Sequence, residues 1–137
     1  MIENKTSYSE ALKYIVGKDI PTFELVRDVA IAILQKQPNQ IQQDAYDSLN
    51  RGTAVLYHGL QMDAYLNAYG RMHQAKLNYA YKHIPESFLA QNEINIIDYG
   101  CGLGTGIMCF ADFLRKQGFI LKVNTITLII EDRKSVV

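Results

Sequence analysis

Between Ile94 and Gly106 the chain reads INIIDYGCGLGTG, and these are residue types that lay open backbone against a ligand. A β-branched apolar run ends in an acid, Asp98, after which Gly100, Gly102, Gly104 and Gly106 alternate with other residues. Glycine permits left-handed turns and close approach of a ligand to main-chain atoms. The acid adds a carboxylate that accepts hydrogen bonds. Together they point to a nucleotide-type cofactor. A dinucleotide fingerprint needs glycines at its first, third and sixth positions. Counted from Gly100, Gly102 or Gly104, the sixth residue is Thr105, Ile107 or Cys109. A NAD-type oxidoreductase is therefore the weaker reading. A tight strand-to-helix turn without a ligand accounts poorly for four glycines in seven residues after an acid.

The acid two residues before a G-x-G-x-G run closely resembles the first motif of the class I methyltransferases that use S-adenosylmethionine. The resemblance covers roughly residues 94 to 131, with apolar strand, acid, glycine loop, helix, strand and acid in that order. It implies that backbone at Gly100, Cys101, Gly102 and Gly104 passes close to the methionine and ribose part of the cofactor. Asp98 would hold the cofactor's amino end, directly or through water, and Glu131 would accept hydrogen bonds from both ribose hydroxyls. A carboxylate suits that task because it offers two acceptor oxygens and no competing donor. A cationic ligand without phosphate also has less use for loop amides as an anion cradle than a pyrophosphate has. In this family the residues that select and deprotonate the methyl acceptor usually come from later segments, so the resemblance assigns no catalytic residue and leaves the acceptor open. A third reading is a non-catalytic methyltransferase-like interaction module, in which helices within residues 7–83 carry the function.

The elements that must position this loop follow from periodicity. Up to about Ile84 the pattern is helical. Tyr8, Ala11, Leu12, Ile15 and Val16 form one apolar face, Ser7 with Glu10 suggests a capping box, and Gly17 supplies a stop. A second helix is expected from near Thr22 until Pro38 blocks continuation, and a third from about Ile41 to Asn50. Leu60 to His83 reads as a longer helix ended by Pro85, with Met62, Tyr65, Leu66, Tyr69, Met72, His73, Lys76 and Ala80 on one side. Gly70 within it costs about 1 kcal/mol relative to alanine, which leaves close packing, a nearby ligand or simple tolerance open. YLNAYGRMHQAKL, Tyr65 to Leu77, resembles the flanking segment of a group of bacterial methyltransferases. Tyr69, His73 and Lys76 share a face, either lining the pocket or packing as an ordinary amphipathic helix. Ile94 to Asp98 is expected to be a buried strand, Ile107 to Gln117 a helix ending at Gly118, and Asn124 to Ile130 a second strand.

The expected fold class is α/β: an N-terminal helical region, residues 1–84, then residues 85–131 as the first βαβ unit of an incomplete Rossmann-like methyltransferase sheet. Only 31 residues follow Gly106 in a chain of 137, fewer than such a domain needs to complete its sheet, so this chain is expected to be inactive alone. The last residues, DRKSVV, break the pattern. Written as codons, GAT CGG AAG AGC GTC GTG, they resemble a widely used sequencing adapter whose next triplet, TAG, is a stop. Residues 132–137 are thus expected to be a non-native tail. An acid at position 131 survives this reading, because a codon beginning GA with any third base encodes Asp or Glu.

Composition sets the remaining bounds. Fourteen Lys plus Arg balance fourteen Asp plus Glu, so the charge footprint of a nucleic-acid-binding protein is missing. With 48% hydrophobic residues the chain can bury one ordinary core. No signal peptide is evident in MIENKTSYSE, and Val29 to Leu34 is too short to span a bilayer. A cytoplasmic location is expected. His58, His73 and His83 have no ligand-like spacing, which argues against a metal site. Cys101 and Cys109 match no zinc pattern, and Cys109 reads as a small core residue on a helix.

Overall fold

A computed structural model describes residues 20–99 and 102–129. The expected helix over residues 7–17 lies outside them, as do Gly100, Cys101, Glu131 and the 132–137 tail. Helix α1, Phe23–Gln35, opens at Thr22, whose side-chain oxygen accepts from the Leu25 N–H at 3.2 Å, the usual role of threonine at an N-cap. It stops two residues before the last position Pro38 allows, since proline also disfavours helical backbone in the residue before it. Helix α2, Asn39–Asp47, starts directly after that proline. It ends short of Asn50 because Asn50, Arg51 and Gly52 turn left-handed, with φ of 46°, 57° and 85°. Helix α3, Gly59–Tyr81, is capped by His58, whose Nδ1 accepts from Gln61 N–H at 3.2 Å. A single turn, α4, Glu86–Leu89, leads to strand β1, Ile94–Tyr99. Helix α5, Thr105–Gln117, ends at Gly118 with φ 79°, and strand β2, Val123–Ile129, closes the described chain. The result is a mixed α/β fold, mostly helical, with one two-stranded sheet.

The strands pair in parallel, with Ile96 opposite Ile126, Asp98 opposite Leu128 and Tyr99 opposite Ile129. β1 was expected to be buried, yet its residues alternate: Ile94 is buried and Ile96 half-buried, while Ile97 and Tyr99 are 71% and 76% exposed. Among the described residues only one face of the sheet is covered, because α5 contributes Ile107, Ala111 and Leu114 to the same cluster as Ile94 and Ile126. That cluster also takes Ile20, Phe23, Ala30 and Leu66 from the helical layer. A second cluster gathers Leu34, Ala45, Leu49 and Ala64 between α1, α2 and α3.

The buried face of α3 differs from the expected one. Its buried positions are Gln61, Ala64, Leu66 and Gly70, whereas Met72 is 45% exposed. An apolar count weights bulk, but α3 is held between two clusters and meets α1 through small residues. A Cβ on Gly70 would lie 3.2 Å from Phe23 Cζ and 3.3 Å from Arg27 Cδ, so close packing explains this glycine. The same gap lets Arg27 Nε donate to the Leu66 carbonyl at 3.2 Å. Buried Gln61 is also satisfied, accepting from Tyr57 N–H at 2.6 Å and donating to the Ser48 carbonyl at 3.2 Å. Gly70→Leu is expected to force α1 and α3 apart and cost about 1–3 kcal/mol, the usual penalty of overpacking. Urea denaturation measures this, and an unchanged midpoint would show that the helices part freely.

The opening of α1 is also tied to α5. Phe23 N–H donates to Asp112 Oδ2 at 3.1 Å, Arg115 bonds Asp112 Oδ1 at 3.0 Å, and Arg115 donates to the Ile20 carbonyl. No helix among the described residues is long and apolar enough to cross a membrane.

Candidate functional site

β1 delivers Asp98 to the sheet's covered face, one residue before the strand ends. The turn then runs through two left-handed glycines, Gly102 at φ 53° and Gly104 at φ 81°, into α5. Among the described residues a Cβ at Gly102 would meet nothing within 4 Å, and one at Gly104 would touch only Ile107 and Met108 at 3.8–4.0 Å. What both positions demand is conformation, and no described residue fills the space beside Gly102. α5 starts without a side-chain cap, so its first N–H groups and the positive end of its dipole face the turn.

Gly106 is constrained differently. A Cβ there would stand 3.2 Å from Asp98 Oδ2, so this glycine allows the carboxylate to rest on the first turn of α5. Asp98 Oδ2 is shielded from solvent and has no hydrogen-bond partner among the described residues. The residue as a whole is half-buried. Burial raises its carboxyl pKa above the ordinary value, and a hydrogen bond from the Ile107 backbone N–H pulls it the other way. A shielded carboxylate oxygen without a donor is costly. It is an acceptor in search of a cation or a donor.

Tyr81, the last residue of α3, reaches the same point from the helical layer. Its hydroxyl donates to the Gly106 carbonyl at 3.0 Å, and its ring packs edge-on against Phe110 at 5.0 Å and tilted against Phe113 at 5.9 Å. Burial, with Cys109 and Asp98 adding to it, pushes the phenol up to about 12. Tyr81 therefore keeps its proton and serves as a hydrogen-bond donor at any ordinary pH. Cys109, 1% exposed on α5, is pushed up to about 11 by burial and then by Asp112, which keeps it a neutral core thiol.

Of the residues singled out from sequence, Asp98 stands near the end of β1 and Gly102 and Gly104 in the turn that leads on to α5, while Gly100, Cys101 and Glu131 lie outside the described residues. Tyr69 and His73 stack at 6.4 Å, and Tyr65 and Tyr69 pack on the second cluster with the Tyr69 ring over Gly52. For these two tyrosines the packing role holds, and Lys76 is exposed. Gly106, counted in the glycine run but given no contact of its own, and Tyr81, which the sequence does not mark, also belong to the site. The alternating glycine run could have pointed to Gly106, whereas nothing in residue order links Tyr81 to a carbonyl 25 residues away. An open depression of 310 Å³ lined by Lys82, Ile84, Glu86, Leu89, Phe113 and Gln117 lies toward the other end of α5. No family model matches the chain, and no curated protein or solved structure matches it either.

Proposed function

We propose that this chain is the cofactor-binding part of an S-adenosylmethionine-dependent methyltransferase, with β1, α5 and β2 as the opening of a Rossmann-like sheet. The observation that carries the reading is Asp98, whose shielded Oδ2 has no partner among the described residues, near the end of a strand that leads on to left-handed Gly102 and Gly104. The half-exposed Asp98 carboxyl group would face a ligand's cationic amino group, whose charge would offset the cost of holding the shielded Oδ2 as an anion. The glycines keep the neighbouring volume free of side chains, so backbone borders the ligand. Gly100 and Cys101 would continue that border, and Glu131 would take the ribose hydroxyls. The bound cofactor supplies an electrophilic methyl group on a sulfonium. The chain's own contribution is to orient it, and much of the acceleration in such a transfer comes from holding two reactants in line. The acceptor stays open.

Calorimetric titration of the whole chain tests the reading. S-adenosylmethionine is expected to bind without methyl transfer, and NAD is expected not to bind. Gly102→Val should abolish the binding heat and retain the helical circular dichroism. A side chain at φ 53° adds roughly 1–2 kcal/mol of local strain and fills the open space. Absence of binding by either ligand at millimolar concentration overturns the proposal, and binding of NAD alone replaces it.

A further inference from the structure

We propose that Tyr81 is a positioning residue for the glycine turn: from the end of the helical layer it holds the Gly106 carbonyl and so keeps Asp98 and the first turn of α5 in their ligand-ready arrangement. The inference rests on the reading of Asp98 and Gly102 as cofactor contacts. Gly106 is bordered from two sides, with Asp98 Oδ2 3.2 Å from where a Cβ would stand and the Tyr81 hydroxyl at 3.0 Å on its carbonyl. A carbonyl at the second residue of a helix already accepts from the N–H four residues on. Its remaining lone pair does not need a partner for the helix to form. The Tyr81 bond therefore adds location rather than helix formation.

The direction of the hydroxyl is set by its surroundings. Phe110 and Phe113 clamp the ring, and both belong to α5, so the phenol cannot swing away without opening that packing. α3 is in turn docked to α1 at Gly70, where Phe23 and Arg27 close on the backbone. The contacts run unbroken from α1 through α3 to Gly106 and Asp98. Phenylalanine at position 81 would fill the same volume and delete only the bond to the turn.

Tyr81→Phe in the full chain is compared with Leu34→Val, a substitution in the second cluster remote from the turn. Hydrogen exchange is followed on amides 102–108 in the ligand-free proteins, and S-adenosylmethionine affinity is measured by calorimetry. Tyr81→Phe is expected to speed exchange of these amides and weaken cofactor binding by about fivefold each, the factor a neutral hydrogen bond typically carries. Leu34→Val should lower the melting temperature and leave both unchanged. Unaltered exchange in Tyr81→Phe, or an equal rise in Leu34→Val, overturns the proposal. If the wild-type chain binds no S-adenosylmethionine, the cofactor reading fails, and the exchange comparison alone still decides whether Tyr81 positions the turn.

Discussion

Asp98→Asn is expected to make the ligand-free chain more stable at neutral pH and to weaken S-adenosylmethionine binding by about 10- to 150-fold, the range for a hydrogen bond to a charged group. Both effects have one origin. Asp98 Oδ2 is shielded and has no partner among the described residues, and burial raises the carboxyl pKa above the ordinary 3.8. A raised native value means that the folded chain binds the proton more readily than the unfolded one. Below pH 3.8 both states are protonated and the group imposes no penalty. As pH rises from there through the native value stability falls, and above it the full penalty remains. Asparagine can still accept from the Ile107 N–H, carries no charge and should flatten that slope. The gain is modest, because the residue as a whole is half-exposed. Melting temperatures between pH 3 and 7, paired with calorimetry, measure both effects. An Asn variant with the wild-type slope and undiminished affinity would sink the assignment of Asp98.

Phe23→Ala is expected to cost about 3–5 kcal/mol, as truncation of a buried aromatic usually does. Phe23 is 0% exposed and packs against Gly70, which has no side chain with which to fill the void. The backbone N–H that bonds Asp112 on α5 is kept by alanine, so the cost is one of packing. Small domains are typically stable by only about 5–15 kcal/mol, so this one change should take a large part of the margin. By contrast Leu25→Ala, at a position 58% exposed on the same helix, should stay within about 0.5 kcal/mol. Urea unfolding of the two variants decides the matter. Equal midpoints would mean that α1 is not docked through Phe23.

Much of the local structure was legible in residue order. The Thr22 cap, the break at Pro38 and the Gly118 stop depend on interactions within a few residues. So do the two β-branched strands, each found within a residue or two of its expected bounds. The buried face of α3 was less legible, since helix periodicity marks bulk and this helix docks through Ala64 and Gly70. The exposed Ile97 and Tyr99 were missed for a related reason: a short apolar run reads the same whether one face is covered or two.

For the candidate site the division is sharper. Residue order alone determined the acid, the alternating glycines and the passage from strand to helix, because left-handed turns and β-branched runs are properties of neighbouring residues. Packing of distant segments decided which of these do more than turn the chain. It shields Asp98 Oδ2 without giving it a donor among the described residues, crowds any side chain at Gly106 by holding that oxygen 3.2 Å from where a Cβ would stand, and sets the Tyr81 hydroxyl on the same residue. Such features arise only when α3, α5 and β1 close on one another, and no spacing along the chain encodes the distance between them.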